Sequence, residues 1–312
     1  MLRKGLVVFS IICILLTGCQ NNDTRQVIRV EDSSQVPFKY IDGDRTFKLE
    51  DDTPYVSHTS VPSDNGQDQT VPAKKGELDN LLLDKLDNTK YSWGLVLNTK
   101  HQTPDFPSNA QKLSKKYNMV YLGDPKKKTV YLTFDEGYEN GYTSKILDVL
   151  KQDNVKAIFF ITGPYLQSEK NLVKRMLDEG HQVGDHTIDH PSLPDMDDKK
   201  LSYELKGLED RFYADFGTNF KYMRPPEGAY SERVLEAADE LGLKTVFWSF
   251  AYLDYDINNQ KGADNAYNMV ISHLHNGAVI LLHAVSKDNA DALDRIIKGI
   301  REQGYEISPF DL

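Results

Sequence analysis

Cysteine is nearly absent. The 312-residue chain has two, Cys13 and Cys19, and none follows Cys19. A disulfide framework and a thiolate-held metal centre are therefore excluded for everything after the first nineteen residues. Positive charge is in deficit: 37 Lys and Arg against 47 Asp and Glu give a net charge of −10. A nucleic-acid binder needs a net basic face to displace counterions, so that class of partner is set aside. Long apolar runs are missing after Leu16. The one run, Gly5 to Leu16, is broken by Ser10. At about a dozen residues it is short for a transmembrane helix and suited to the core of a signal peptide.

What surrounds that run is informative. Arg3 and Lys4 precede it, Leu16-Thr17-Gly18-Cys19 ends it, and the polar residues Gln20 to Asp23 follow. The ending resembles a bacterial lipobox. Residues 1–18 are therefore predicted to be a lipoprotein signal peptide, with Cys19 acylated as the first mature residue. That places the chain on the extracytoplasmic face of the cell membrane, with the membrane as a partner through the lipid. Residues 19–90 are acidic, rich in Ser, Asp, Thr, Pro and Gln and poor in large apolar residues. They are predicted to be a tether or weakly structured extension. Asp42-Gly43 between two β-prone runs predicts a hairpin that would have to dock to be stable, and Leu78 to Leu86 a short helix.

From Tyr91 to Leu312 the pattern is that of a folded domain. Continuous apolar runs at Thr129–Phe134, Lys156–Thr162, Lys244–Ser249 and Ala278–Leu282, with a short one at Gln182–Gly184, predict buried strands. Gly163-Pro164 is expected to stop the second of these. Helices with one apolar face are predicted between them, capped by Thr143, Ser168 and Ser231, and a last one over Asn289–Glu302. Alternating strands and helices predict an α/β fold with a parallel sheet, open or closed into a barrel. In either form the chemistry is sought at the carboxyl ends of the strands.

Those ends carry unusual residues. Asp135-Glu136-Gly137 follows the first strand, and neighbouring carboxylates there point in different directions, so one can face a metal while the other faces the attacking water. His186 and His190 follow the Gln182 strand. Their spacing of four is expected to place both imidazoles on one side of a helical turn, where two imidazoles and a carboxylate form an open metal site. Arg224-Pro225-Pro226-Glu227-Gly228 is stiffened by its prolines and suited to aiming backbone N–H groups at an oxyanion. Arg224 is a candidate partner for Asp135. Asp254-Tyr255 and His283 close the set, His283 as a candidate general acid or a core histidine.

Taken in order, Thr133-Phe134-Asp135-Glu136-Gly137, His186-Thr187-Ile188-Asp189-His190, Arg224-Pro225-Pro226-Glu227-Gly228, Asp254-Tyr255 and Leu281-Leu282-His283 resemble the motifs of the polysaccharide deacetylases of carbohydrate esterase family 4. The resemblance spans about residues 91–312. Within the family the chain is most similar to the peptidoglycan N-acetylmuramic acid deacetylases that lead to muramic δ-lactam in spore cortex. The residues behind that comparison are Tyr91–Gly94, Gly137–Thr143, Phe247–Ser249, Ile257–Gly262 and Ser286–Ala290.

The resemblance implies a distorted (β/α) barrel with a groove at the strand ends. It implies Asp135 as general base, Arg224 as the residue orienting it, His283 as general acid and Asp254 as the residue tuning it. It implies a divalent metal, zinc first, on His186 and His190, with Glu136 where the family usually has an aspartate ligand. Glu227, Gly228, Trp248 and Tyr255 would form the oxyanion loop and groove. The implied partners are peptidoglycan glycan strands and an upstream amidase that strips stem peptides, and the implied place is the forespore membrane. Two other readings remain in view: an N-acetylglucosamine deacetylase of peptidoglycan or exopolysaccharide, and a lipid-anchored glycan-binding protein without catalysis.

Overall fold

The computed structural model describes residues 26–29 and 83–312. The expected signal peptide, Cys19 and the expected Asp42-Gly43 hairpin lie outside the described residues, as does most of the expected Leu78–Leu86 helix, of which Leu83–Lys85 forms a single 3-10 turn.

The strands are β1 (Gln26–Arg29), β2 (Tyr91–Ser92), β3 (Gly94–Leu97), β4 (Met119–Val120), β5 (Thr129–Glu136), β6 (Ile158–Ile161), β7 (Gln182–Asp185), β8 (Tyr222–Met223), β9 (Ala229–Tyr230), β10 (Lys244–Val246), β11 (Ala278–His283) and β12 (Glu306–Ile307). The helices are α1 (Ala110–Lys116), α2 (Thr143–Gln152), α3 (Gly163–Ser168), α4 (Lys170–Asp178), α5 (Asp198–Phe216), α6 (Glu232–Glu240), α7 (Ala263–Ser272) and α8 (Lys287–Glu302). The main sheet is parallel, in the order β11-β5-β6-β7-β8-β10-β4, with β12 on the start of β5. Its edges do not meet as a ladder. The chain leaving β10 spans the gap instead: Phe247 N donates to Val120 O, Ser249 N to Val279 O, and Leu281 N to Phe250 O. The result is the distorted barrel expected from the motifs.

The strands are buried on both faces because helices cover the outside and side chains fill the inside. Leu132, Phe134, Phe159 and Ile161 are buried in one cluster with Ile146, Leu150, Val173 and Met176 of α2 and α4. Tyr131, Ile158, Phe160, Tyr222 and Val279 form a second, closed by Phe310. Gly163-Pro164 does not simply end β6. Thr162 caps a helix with its hydroxyl accepting from Tyr165 N, and proline suits the first helical turn because it lacks an N–H to satisfy. Ser168 is the last residue of α3 rather than a cap, whereas Ser231 and Ser286 do cap α6 and α8. Helices α1, α3, α5 and α7 were not foreseen from the sequence.

The segment expected to be a tether contributes to the fold. Leu83 is buried, and Asn88 donates to Pro194 O and accepts from the Ser231 hydroxyl. β1 pairs antiparallel with β3, Gln26 opposite Leu97. Trp93 stacks on Phe247 at 4.4 Å and donates its indole N–H to Trp248 O. The folded unit therefore begins before Tyr91. Among the described residues no helix is long and apolar enough to cross a membrane.

Candidate active site

Parallel strands bring Asp135, Asp185 and His283 to the same end of the sheet, with His283 in register with Asp135. Side chains alternate along β5, so Thr133 and Asp135 share one face and Phe134 and Glu136 the other. The hydrogen bonds follow that alternation. Arg224, fully buried, donates from Nη1 to Asp135 Oδ1 at 2.6 Å, from Nη2 to Thr133 Oγ1 at 2.9 Å and from Nε to Val246 O at 3.2 Å. Its guanidinium lies 4.2 Å from the Phe160 ring centroid. A buried Arg is tolerable only when its donors are matched in this way. Burial alone would raise the Asp135 carboxyl. The Arg224 charge, with His186 and His283 nearby, holds it below the usual carboxylate range. Asp135 is therefore ionised and ready to accept a proton at neutral pH. Thr133 was not singled out from sequence, although its position two residues before Asp135 puts it on the same face.

The histidines come from a loop, not from the helical turn the spacing suggested. Thr187 and His190 take left-handed backbone conformations, φ 69° and 57°. The loop holds them there through Asp185 Oδ1, which accepts from Thr187 N, and Thr187 Oγ1, which accepts from His190 N. Glu204 of α5 accepts from Asp189 N. The two imidazoles end edge to face with centroids 4.7 Å apart.

Burial depresses both histidines, His190 to about 3, so both are neutral. His186 Nδ1 contacts Arg224 O at 2.8 Å. A carbonyl only accepts, so the proton sits on Nδ1 and Nε2 offers a lone pair. That Nε2 faces Asp135 Oδ2 across 3.5 Å. Two acceptors facing each other at that distance call for a cation or water between them. Two neutral imidazoles, one fixed by a carbonyl behind it, suit a borderline ion such as zinc.

Glu136 does not complete this set. It is fully buried on the other face of β5, where Thr143 Oγ1 contacts both its oxygens at 3.3 Å. Burial pushes its carboxyl well above the usual range, and Glu139 adds to the shift. Among the described residues no group of three His, Cys, Asp or Glu is disposed to hold a metal. The expectation of Glu136 as third ligand is thus corrected: alternation turns it away from the histidines.

On the opposite wall, His283 Nδ1 lies 2.7 Å from Asp254 Oδ1, and His283 N donates to Asp254 Oδ2 at 2.8 Å. Burial would depress His283, but the Asp254 carboxylate raises it above its ordinary value. The imidazolium is favoured, with Nε2–H free of this pair. The Tyr255 ring stands 5.4 Å from that of His283. Trp248 is buried against Gly228, where a Cβ would come within 2.8 Å of its ring. It backs the loop from below rather than lining a groove. The Gly228 N–H is spent on Pro225 O, so it does not point at substrate, while Glu227 sits at φ 59° at the tip of the turn.

The chain is similar to several known proteins over this region. The sequence pattern described as polysaccharide deacetylase matches residues 122–246. An uncharacterized 30.6 kDa protein of Geobacillus stearothermophilus is 48% identical over 227 residues, 72% of this chain and 86% of that protein. The peptidoglycan-N-acetylmuramic acid deacetylase PdaA of Bacillus subtilis is 45% identical over 225 residues, with the same shares covered. Its solved structure, a family 4 carbohydrate esterase, superposes with a TM-score of 0.69 over 72% of this chain and 96% of that one. The peptidoglycan-N-acetylglucosamine deacetylase PgdA of Listeria monocytogenes is 36% identical over 190 residues, 60% of this chain and 40% of that protein.

Proposed function

Because the chain belongs to the polysaccharide deacetylase family, carbohydrate esterase family 4, we propose that it is a hydrolase that removes the acetyl group from N-acetylmuramic acid in peptidoglycan. The observation that carries this reading is the convergence of an ionised Asp135, two neutral imidazoles and an Asp254-paired His283 at one end of the sheet. The preference for muramic acid over glucosamine is supported by the 45% identity to PdaA, against 36% to PgdA.

In the proposed mechanism Arg224 fixes the Asp135 carboxylate in its charged form. Asp135 takes a proton from the attacking water on its Oδ2 side, beside His186 Nε2. His186 and His190 would hold a divalent ion, zinc first, which when bound polarises the acetyl carbonyl and acidifies water. The turn at Glu227 offers backbone N–H to the oxyanion. His283, charged through Asp254, protonates the departing sugar amine from Nε2. The products are acetate and a muramic acid amine, which is set up to close a lactam with its own lactyl carboxyl.

The biological setting we propose is spore cortex synthesis. Cys19 anchors the protein by lipid to the outer face of a membrane, at the forespore, and the substrate is glycan strand already stripped of stem peptide by an amidase. The experiment is acetate release from stripped glycan strands by the purified protein, with and without chelator, beside Asp135→Asn. Acetate from the wild type, lost on chelation and in the variant, supports the reading. Acetate release unchanged in Asp135→Asn overturns the assignment of the base, and no release by the wild type leaves glycan binding without catalysis as the function.

A further inference from the structure

Three segments that carried the resemblance, residues 137–143, 257–262 and 286–290, have no part in the mechanism above. In the structure they meet around the start of α8, behind His283. Asn140 Nδ2 donates to Val285 O at 2.9 Å. Gln260 Nε2 donates to the carbonyls of Asp254 and Asp256, and its Oε1 accepts from the Ser286 hydroxyl at 2.8 Å and from Asp288 N at 3.2 Å. Gly262 N donates to Asp288 Oδ2. At the centre is Asn289, which is fully buried. Its Nδ2 donates to Asp254 Oδ2 at 2.5 Å and to His283 O at 3.2 Å, while its Oδ1 accepts from the Tyr252 hydroxyl.

The chemistry of the partners fixes the amide's orientation. A carboxylate and a carbonyl only accept, so the NH2 end must face Asp254 and His283. The other end then meets Tyr252, whose hydroxyl donates. A carboxylate torsion is broad, so one hydrogen bond does not hold the plane of Asp254. Here Oδ1 is taken by His283 Nδ1, and Oδ2 by His283 N and Asn289 Nδ2. With both oxygens engaged, the carboxylate is locked and the imidazole is locked with it.

We propose that Asn289 is a positioning residue for proton delivery: it clamps Asp254 so that His283 keeps its Nδ1–H toward Asp254 and presents its Nε2–H to the leaving amine, with Tyr252 holding the amide the right way round. This rests on reading His283 as the general acid. It also assigns a role to the segments the resemblance brought forward. Through Asn289 and Gln260 they brace the acid, and Asn289 itself, fully buried, is out of the substrate's reach.

The test uses the full chain as Asn289→Ala, Tyr252→Phe and His283→Gln, with steady-state kinetics on stripped glycan strands and ¹⁵N NMR of the histidine imidazoles. The His283 signals are assigned by their loss in His283→Gln. Asn289→Ala is expected to lower kcat about 10- to 100-fold with KM within about twofold, the range of one hydrogen bond to a charged group. Recorded at a pH where the ring is neutral, its His283 signals should move from one defined tautomer to an average. Tyr252→Phe should do the same more weakly and keeps the buried shape if Asn289→Ala does not fold. Unchanged kcat and unchanged His283 signals in Tyr252→Phe, or in a folded Asn289→Ala, overturn the proposal, as does a rise in KM with kcat intact. If His283→Gln retains full kcat, the general-acid reading fails instead, and the imidazole signals still report whether Asn289 holds the ring.

Discussion

Glu136→Gln is a perturbation whose outcome follows from one buried side chain. Glu136 is fully buried, and its hydrogen-bonding partner is the Thr143 hydroxyl, 3.3 Å from each oxygen. Burial raises its carboxyl well above 4.5, and Glu139, then Asp135 and Glu169, add to the shift against the opposing hydrogen bond from Thr143. The folded protein therefore keeps a proton on Glu136 that the unfolded chain releases near pH 4.5. The native state binds more protons over that window. Its stability from this group is complete below about pH 4.5 and is lost as pH rises toward the raised folded value.

The slope is about 1.4 kcal/mol per pH unit, or nearly 3 kcal/mol across two units inside the window. Gln keeps the volume and removes the ionisation. The stability of Glu136→Gln relative to wild type should therefore climb between pH 5.5 and 7.5 by up to that amount, since all other titrations cancel in the difference. Urea unfolding followed by the fluorescence of Trp93 and Trp248, both buried, measures it. Acetate release should stay within about threefold of wild type, because Glu136 faces away from the histidines. A stability difference that does not change with pH refutes the burial argument. Loss of zinc affinity together with activity refutes the placement.

Other substitutions separate the remaining parts. Asp135→Asn should cut turnover about 10²- to 10⁴-fold with an unchanged circular dichroism spectrum. Asp254→Asn removes the carboxylate that raises His283. Since the protonated imidazole is the active form, the alkaline limb of the kcat–pH profile should move to lower pH, and a limb that stays put refutes the pairing. His190→Ala should abolish zinc binding in calorimetry while thermal unfolding stays cooperative. Gly228→Ala places a Cβ within 3 Å of Trp93 and Trp248 at φ 64°, so chemical denaturation should show a loss of about 1–3 kcal/mol.

Much of this was legible in sequence because strand ends are short-range features. The runs at Thr129, Lys156 and Ala278 located the strands, and the polar residues just beyond them located Asp135, His186 and His283. Period-two alternation showed that Asp135 and Glu136 point in different directions, though not that Glu136 would leave the site and be buried against Thr143. The helical placement of the His pair failed because local side-chain bonds, Asp185 to Thr187 N and Thr187 to His190 N, and a tertiary one from Glu204 of an unforeseen helix to Asp189 N hold the loop with Thr187 and His190 in left-handed conformations. That helix, α5, did carry a signal: Asp197 as cap, then Leu201, Leu205, Leu208 and Phe212 on one face. Asn289 lay within the Ser286–Ala290 segment that carried the resemblance, but nothing there pointed to its role. Its partner Asp254 is 35 residues away, and only the folded sheet brings them together.

The central claim is that a base on β5 and an acid on β11 deacetylate muramic acid. Its most direct test is mass spectrometry of muropeptides from stripped spore peptidoglycan incubated with zinc-loaded protein and with Asp135→Asn. The account predicts loss of the acetyl mass from muramic acid residues with the wild type alone. Acetyl loss confined to glucosamine, or found equally with the variant, would contradict it.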